Sequence, residues 1–210
     1  EFIDEPGHAT DLFAREATRF IEQHHEQPFF LYLAFSVPHY PLQEDEQWVM
    51  PYEGTIEHKD RRLNAAAVTH MDDAIGRVLD TLDRADLQKQ TMVIFTSDNG
   101  GQENWLATGY DGEHGPNERL GDNRPLRDWK GSVFEGGIRV PALAHWPGRL
   151  TPSVCNSVLC ATDIFPTVAG LIGKPPDPEL QLDGIDVWPS QANFIMCQLP
   201  EGRGKEVFEG

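Results

Sequence analysis

Apolar residues recur along this chain with two periods, and the periods predict its elements. Thr10-Asp11 is a helix-start signal, and Phe13, Ala17, Phe20, Ile21 and His24 then share one helical face, with Pro28 as the stop. Phe29-Phe30-Leu31-Tyr32-Leu33-Ala34-Phe35 is a continuous apolar run of strand length, which predicts a strand covered on both faces, as in a parallel sheet. The prolines of Ser36-Val37-Pro38-His39-Tyr40-Pro41 make the next stretch a loop, and 41–55 is polar and irregular. A long amphipathic helix is predicted from Asp60 to Arg84, with Leu63, Ala67, Met71, Ala74, Ile75, Val78, Leu79 and Leu82 as its buried stripe. Thr91-Met92-Val93-Ile94-Phe95-Thr96-Ser97 then reads as a buried strand. Helix, strand, helix, strand is the rhythm of an α/β fold: a doubly wound, mostly parallel sheet flanked by helices.

Periodicity fails from Gly100 to Arg127, a stretch rich in Gly, Asn, Asp and Glu in which Trp105, Tyr110, His114, Arg119 and Arg124 are scattered. Loops of that length are usually functional or mobile. Gly137 to Trp146 resembles a further strand, with Pro141 marking an edge or bulge. A short helix is predicted from Asp163 to Ile172, capped by Thr162 or Asp163 and ended by Gly173. Residues 1–188 form one domain in this reading, and 189–210 a tail of mixed character.

The composition narrows the partners. Hydrophobic residues make up 39% of the 210 and aromatics 10%, enough for a packed core. A formal net charge of -17 disfavours nucleic acid, whose phosphates need clustered Lys and Arg. An anionic substrate then requires a local positive site, which a divalent cation can supply. No apolar run is long enough for a membrane helix. Cys155, Cys160 and Cys197 form no CxxC pair, so no zinc framework is visible.

Candidate chemistry begins at Asp98-Asn99-Gly100-Gly101, directly after the predicted strand. Ligands collect beyond the carboxyl ends of strands in open α/β sheets. A carboxylate and an amide carbonyl are hard oxygen donors of the kind Ca²⁺ or Mg²⁺ prefers. Taken alone, the tetrapeptide reads first as a turn closing a strand, because Asn-Gly is a common turn dipeptide. Likewise a single histidine after a strand is ordinarily a turn residue, and a lysine in Trp-Lys-Gly a solvated charge.

Three strings together change that reading. "PFFLYLAFSVPHYP", "TSDNGG" and "KGSVFEGGIRVP", in this order, resemble the sulfatase family of the alkaline-phosphatase superfamily, in its arylsulfatase A and B-like branch. The resemblance continues through Thr162-Asp163-Ile164-Phe165-Pro166-Thr167 and Leu182-Asp183-Gly184-Ile185-Asp186 and covers nearly everything from Thr10 to Trp188. It implies hydrolysis of a sulfate ester, on an arene or a sugar, at a site centred on one Ca²⁺. Asp98 and Asn99 match the family's second pair of metal ligands. His39 matches the histidine beside the sulfate and the leaving oxygen, and Lys130 the lysine that binds the sulfate. By resemblance the protein is exported: periplasmic, extracellular or lysosomal. Trp and Arg residues of 101–127 would suit a sulfated sugar, with Tyr40 and Trp129 either lining the pocket or packing. Arg139 reads either as a catalytic residue or, in preference, as the partner of a buried carboxylate. His114 with Glu113 and Asp111 reads as a second metal cluster or, in preference, as a solvated substrate-side loop, since the spacing fits no metal-ligand motif.

The sequence also departs from the family. Its nucleophile is a formylglycine made in a Cys/Ser-x-Pro-x-Arg motif, and no such motif occurs here. The first pair of aspartate ligands is missing as well. The expectation is an incomplete sulfatase domain: 1–188 its C-terminal part, 189–210 the start of a small C-terminal subdomain, and the nucleophile and remaining Ca²⁺ ligands upstream of Glu1. Such a segment should bind Ca²⁺ poorly and turn nothing over. Two rivals stand beside this reading, a phosphate mono- or diester hydrolase of the same superfamily and a non-catalytic glycan- or calcium-binding relic. Lys130 and a single Asp-Asn pair favour the sulfatase over a two-metal phosphatase. The joint presence of His39, Asp98, Asn99 and Lys130 argues against the relic.

Overall fold

Two helices carry most of the buried surface. The computed structural model describes residues 5–105 and 117–188. Its α1 spans Ala9–His24, a four-residue turn α2 spans Glu46–Val49, and α3 spans Lys59–Arg84. The predicted stripe of α1 is rotated slightly: Thr10, Ala14, Ala17 and Ile21 are buried, whereas Phe13 is at the rim, 40% exposed. The cap is also not Thr10-Asp11 but His8, whose Nδ1 accepts the Thr10 N–H at 3.3 Å. On α3 the predicted Ala67, Ala74, Val78 and Leu82 are buried, joined by the polar His70 and Thr81. α1 packs on α3, and the small side chains on both let the two axes approach closely. Removing Ile21 from water contributes roughly 1.5–3 kcal/mol.

The chain divides into two units. Among the described residues, the first comprises 5–91, 97–105 and 117–140, and the second 92–96 and 141–188. In the first unit, Phe29–Phe35 runs extended beside α1, with Phe29 edge-on to Phe20 and Phe35 near Phe13. Burial alternates along it, and Phe30 and Tyr32 are 74% and 82% exposed. The expected two-sided burial is therefore not met among the described residues: one face meets α1, the other leaves Phe30 and Tyr32 exposed, and no ladder pairs the edges of this segment, so it is not a strand there. A second core gathers Leu42, Ala67 and Leu120, with Val37, Leu63 and Trp105 packed around it. It fastens the His39 loop to α3.

In the second unit, β1 (Val93–Thr96) pairs antiparallel with β2 (Ala142–His145), Val93 opposite His145 and Thr96 opposite Ala142. The α/β class holds, and the one ladder formed by the described residues is an antiparallel pair, which a mostly parallel sheet can include. Apolar runs report burial, not strand direction, and the connection between these strands is long enough for either. Residues predicted to open the second strand instead form a short helix, α4 (Glu135–Ile138), and Pro141 sits just before β2, where its missing N–H costs no ladder bond. After a short 3₁₀ turn, α5 spans Ile164–Leu171. Asp163 accepts N–H bonds from Cys160 (2.8 Å) and Ile185 (2.9 Å), tying the tail of the unit to the helix start. At the other end Gly173 has φ +70°, and Lys174 N–H reaches Ala169 O at 2.8 Å. That is the left-handed helix stop the sequence predicted. No helix among the described residues is long and apolar enough to cross a membrane. The tail from 189 lies outside the described residues.

Candidate functional site

The corner after β1 is built by close backbone approach. Gly100 N–H donates to Gly137 O at 2.9 Å, and Gly136 N–H donates to Arg127 O at 2.7 Å. Lys130 N–H donates to Gly101 O at 3.0 Å. A β-carbon on Gly100 would lie 1.8 Å from Gly136 O, and one on Gly136 would lie 1.9 Å from Asp128 O. Glycine at both places is thus a packing requirement. The string "KGSVFEGG" folds into a turn plus α4 that clasps the Asp98–Gly101 corner.

Asn123 holds these pieces together. Its Nδ2 lies within hydrogen-bonding distance of three carbonyl oxygens: Gly101 (2.9 Å), Gly136 (3.1 Å) and Asp128 (3.2 Å). It thereby joins the corner, the lysine turn and α4. Sequence reasoning passed over Asn123 because it is one polar residue among many in an aperiodic stretch. Asp128 is in the left-handed region at φ 63° and accepts the Ser132 hydroxyl at 3.1 Å. Arg127 stacks on Phe134, its Cζ 3.6 Å from the ring centre.

Asn99 is half-buried and its Nδ2 donates to Gly100 O at 3.1 Å, which leaves Oδ1 as the outward acceptor. The Ser97 hydroxyl donates to Asn99 O at 3.0 Å. Asp98 is exposed and makes no hydrogen bond or ion pair among the described residues. A carboxylate and an amide oxygen with open lone pairs suit a hard cation. Lys130 is half-buried and its ammonium makes no ion pair among the described residues.

His39 comes from the proline-rich loop that follows the Phe29–Phe35 segment. Its Nδ1 is 2.6 Å from Tyr40 O, and a carbonyl can only accept, so Nδ1 carries the hydrogen and Nε2 is the outward nitrogen. The ring meets Trp105 edge-on at 6.0 Å, while buried Tyr40 stacks on the same indole at 5.0 Å. Tyr40 therefore packs. Trp105 in turn is fixed by paired backbone bonds with Asn117, at 2.7 and 2.9 Å. So the corner and the lysine turn are direct neighbours, and His39 joins the same segment through Trp105, four residues after Gly101. No hydrogen bond, ion pair or ring contact among the described residues links the His39 ring to Asp98, Asn99 or Lys130.

Two expectations about charge change. Arg139 pairs not with a buried carboxylate but with Glu135, one turn back at 3.6 Å, both about two-thirds exposed at 67% and 65%. The helical turn of α4, unseen in the sequence, sets that i,i+4 pair. Arg124 is engaged by Asp122, and side-chain hydrogen bonds from its guanidinium hold the Asp122 carboxyl well below the usual carboxylate range. Asp111, Glu113 and His114 lie outside the described residues.

Comparison with known proteins assigns the frame. A family model described as Sulfatase matches residues 2–174. N-acetylgalactosamine-6-sulfatase of Mus musculus is 34% identical over 194 residues, 91% of this chain and 34% of that protein. Arylsulfatase A of Homo sapiens is 34% identical over 167 residues, 80% of this chain and 29% of that protein. Among solved structures, Ps i-CgsB in complex with k-i-k-neocarrahexaose superposes with a TM-score of 0.75 at 32% identity, covering 90% of this chain and 39% of that one. The PsFucS1 sulfatase from Pseudoalteromonas sp. gives a TM-score of 0.66 at 26% identity, over 89% of this chain and 36% of that one. This chain spans about a third of the length of the curated relatives it matches. The α/β fold class is that of these neighbours, and with a family model over 2–174 and a third of its residues shared with two named sulfatases, the chain belongs to the sulfatase family.

Proposed function

We propose that this chain supplies part of the site of a sulfuric ester hydrolase acting on aryl or sugar sulfates, with Asp98, Asn99, Lys130 and His39 as its share. One observation carries the proposal: the Lys130 N–H bond to Gly101 O sets a lysine with no ion pair among the described residues beside an oxygen-donor corner. Sulfate-ester cleavage builds negative charge on the transferred group and on the departing oxygen. Lys130 would meet a sulfate oxygen as a point charge. His39, with Nδ1 committed to Tyr40 O, would present Nε2 to the leaving oxygen and hand it a proton when the ring is protonated. Asp98 and Asn99 Oδ1 would hold Ca²⁺, which stabilises developing charge on the sulfate. They supply two donors of the about six to eight that Ca²⁺ takes, and the proposal places the rest, with the formylglycine nucleophile, outside these 210 residues. The relatives' names span sugar and aryl sulfatases, so both substrate classes stay within the proposal. Export of the protein belongs to the same reading and rests on the family alone.

The test uses a protein in which this chain is joined to the segment bearing the nucleophile. A chromogenic aryl sulfate and a sulfated galactosamine are compared with the matched aryl phosphate. Sulfate release is expected, with loss on calcium chelation. Asp98→Ala should weaken Ca²⁺ binding at least about tenfold, since even indirect partners of metal ligands cost that much. Preference for the phosphate ester would overturn the sulfatase reading, and robust turnover by the 210 residues alone would overturn the partial site.

A further inference from the structure

A separate cluster lies in the first unit, between α1 and α3. His8 caps α1, Glu44 stands between the His39 loop and α2, and His70 sits in mid-α3. One ligand atom from each lies within 4.8 Å of the others. We propose that His8, Glu44 and His70 form a cation site of the zinc class, independent of the Asp98–Asn99 corner.

Burial and an unmet valence argue for it. The side chains of Glu44 and His70 are 0% and 1% exposed. A buried carboxylate must be paired, with both oxygens satisfied. Glu44 Oε2 is 2.8 Å from His70 Nδ1, but Oε1 is buried without a hydrogen-bond partner and 3.5 Å from His8 Nε2. Ligand atoms about 2.0–2.1 Å from a tetrahedral zinc lie roughly 3.4 Å apart, which matches that gap. Two imidazoles and one carboxylate are a donor set that suits zinc, whereas calcium prefers oxygen alone.

The surroundings are those of a held ligand. His70 Nε2 faces Asp11 Oδ1 at 3.2 Å, and Asp11 is itself gripped by Arg77 at 2.6 Å. His70 Nε2 is itself buried without a hydrogen-bond partner, and with Nδ1 ligated its N–H would be turned to that carboxylate, the arrangement that fixes the tautomer of a ligating imidazole. Trp48 stacks on His70 at 4.6 Å with planes 14° apart, and the His8 ring is 4.6 Å from it. Without an ion, His8 Nε2–H can donate to Gln43 O at 2.8 Å while Nδ1 accepts from Thr10 at 3.3 Å. Ligation through Nε2 moves the ring proton to Nδ1 and gives up both that long cap bond and the bond to Gln43 O. The rival is an ion-free hydrogen-bonded chain from Asp11 through His70 and Glu44 to His8.

The experiment adds Zn²⁺, then Co²⁺, to the 210-residue chain. After dialysis, one equivalent of zinc is expected by atomic emission, with a rise in melting temperature. Co²⁺ should give the visible absorption of a tetrahedral site and shift the ring resonances of His8 and His70, which locates the ion without any substitution. Glu44→Gln and His8→Gln, checked by circular dichroism for folding, should lose the ion, and Asp98→Ala should keep it. A folded chain that retains no zinc overturns the proposal, as does an equivalent retained unchanged in both folded variants.

Discussion

Lys130→Ala is expected to lower kcat/KM for a sulfate ester by about 10²–10³-fold, the cost of removing one fixed donor to developing charge. The geometry makes this a clean test. What ties Lys130 to the corner is its main-chain N–H on Gly101 O, and alanine keeps that bond. The side chain is half-buried with no ion pair among the described residues, so stability should move by no more than about 0.5 kcal/mol. Lys130→Arg should restore only part of the activity, because a planar fork does not replace a compact ammonium. The measurement is steady-state kinetics on an aryl sulfate, with thermal unfolding alongside, in a protein that also carries the nucleophile. An unchanged kcat/KM would remove Lys130 from the site.

Gly100→Ala is expected to be strongly destabilising, although it adds only one methyl group. It would place a β-carbon 1.8 Å from Gly136 O, a backbone atom that cannot rotate away. The corner must open, and the Gly100–Gly137 and Gly136–Arg127 bonds, at 2.9 and 2.7 Å, go with it. A loss of about 3 kcal/mol or more follows from overpacking plus broken buried bonds. For a chain of this size that is a fall of roughly 6–12 °C in melting temperature. The same change at Gly76, in α3 with nothing within 4 Å of the new carbon, should stabilise by about 0.5–1 kcal/mol. If both variants melt alike, the close approach at Gly100 is not as described.

The candidate site divides in the same way. "TSDNGG" and "KGSVFEGG" were legible as two separate motifs, because glycine pairs and strand-end carboxylates stand out locally. That they clasp one another through Gly100, Gly136 and Lys130 N–H was not, since close approach is a relation between distant segments. Asn123 left no local mark at all. Arg139 was misjudged because its partner depends on α4, a turn too short to show a period.

What the sequence by itself determined is local and repetitive. The extents of α1, α3 and α5, the Gly173 stop, the position of β1 and the sulfatase resemblance all follow from spacing, caps and word order within single segments. Tertiary structure alone decided the rest: the antiparallel pairing of β1 with β2, one-sided burial of Phe29–Phe35, the Asn123 clasp and the His8–Glu44–His70 cluster. The physical reason is common to all four. Side-chain periodicity encodes which face of an element is buried, but carries no information on which remote backbone or polar atom fills the space opposite.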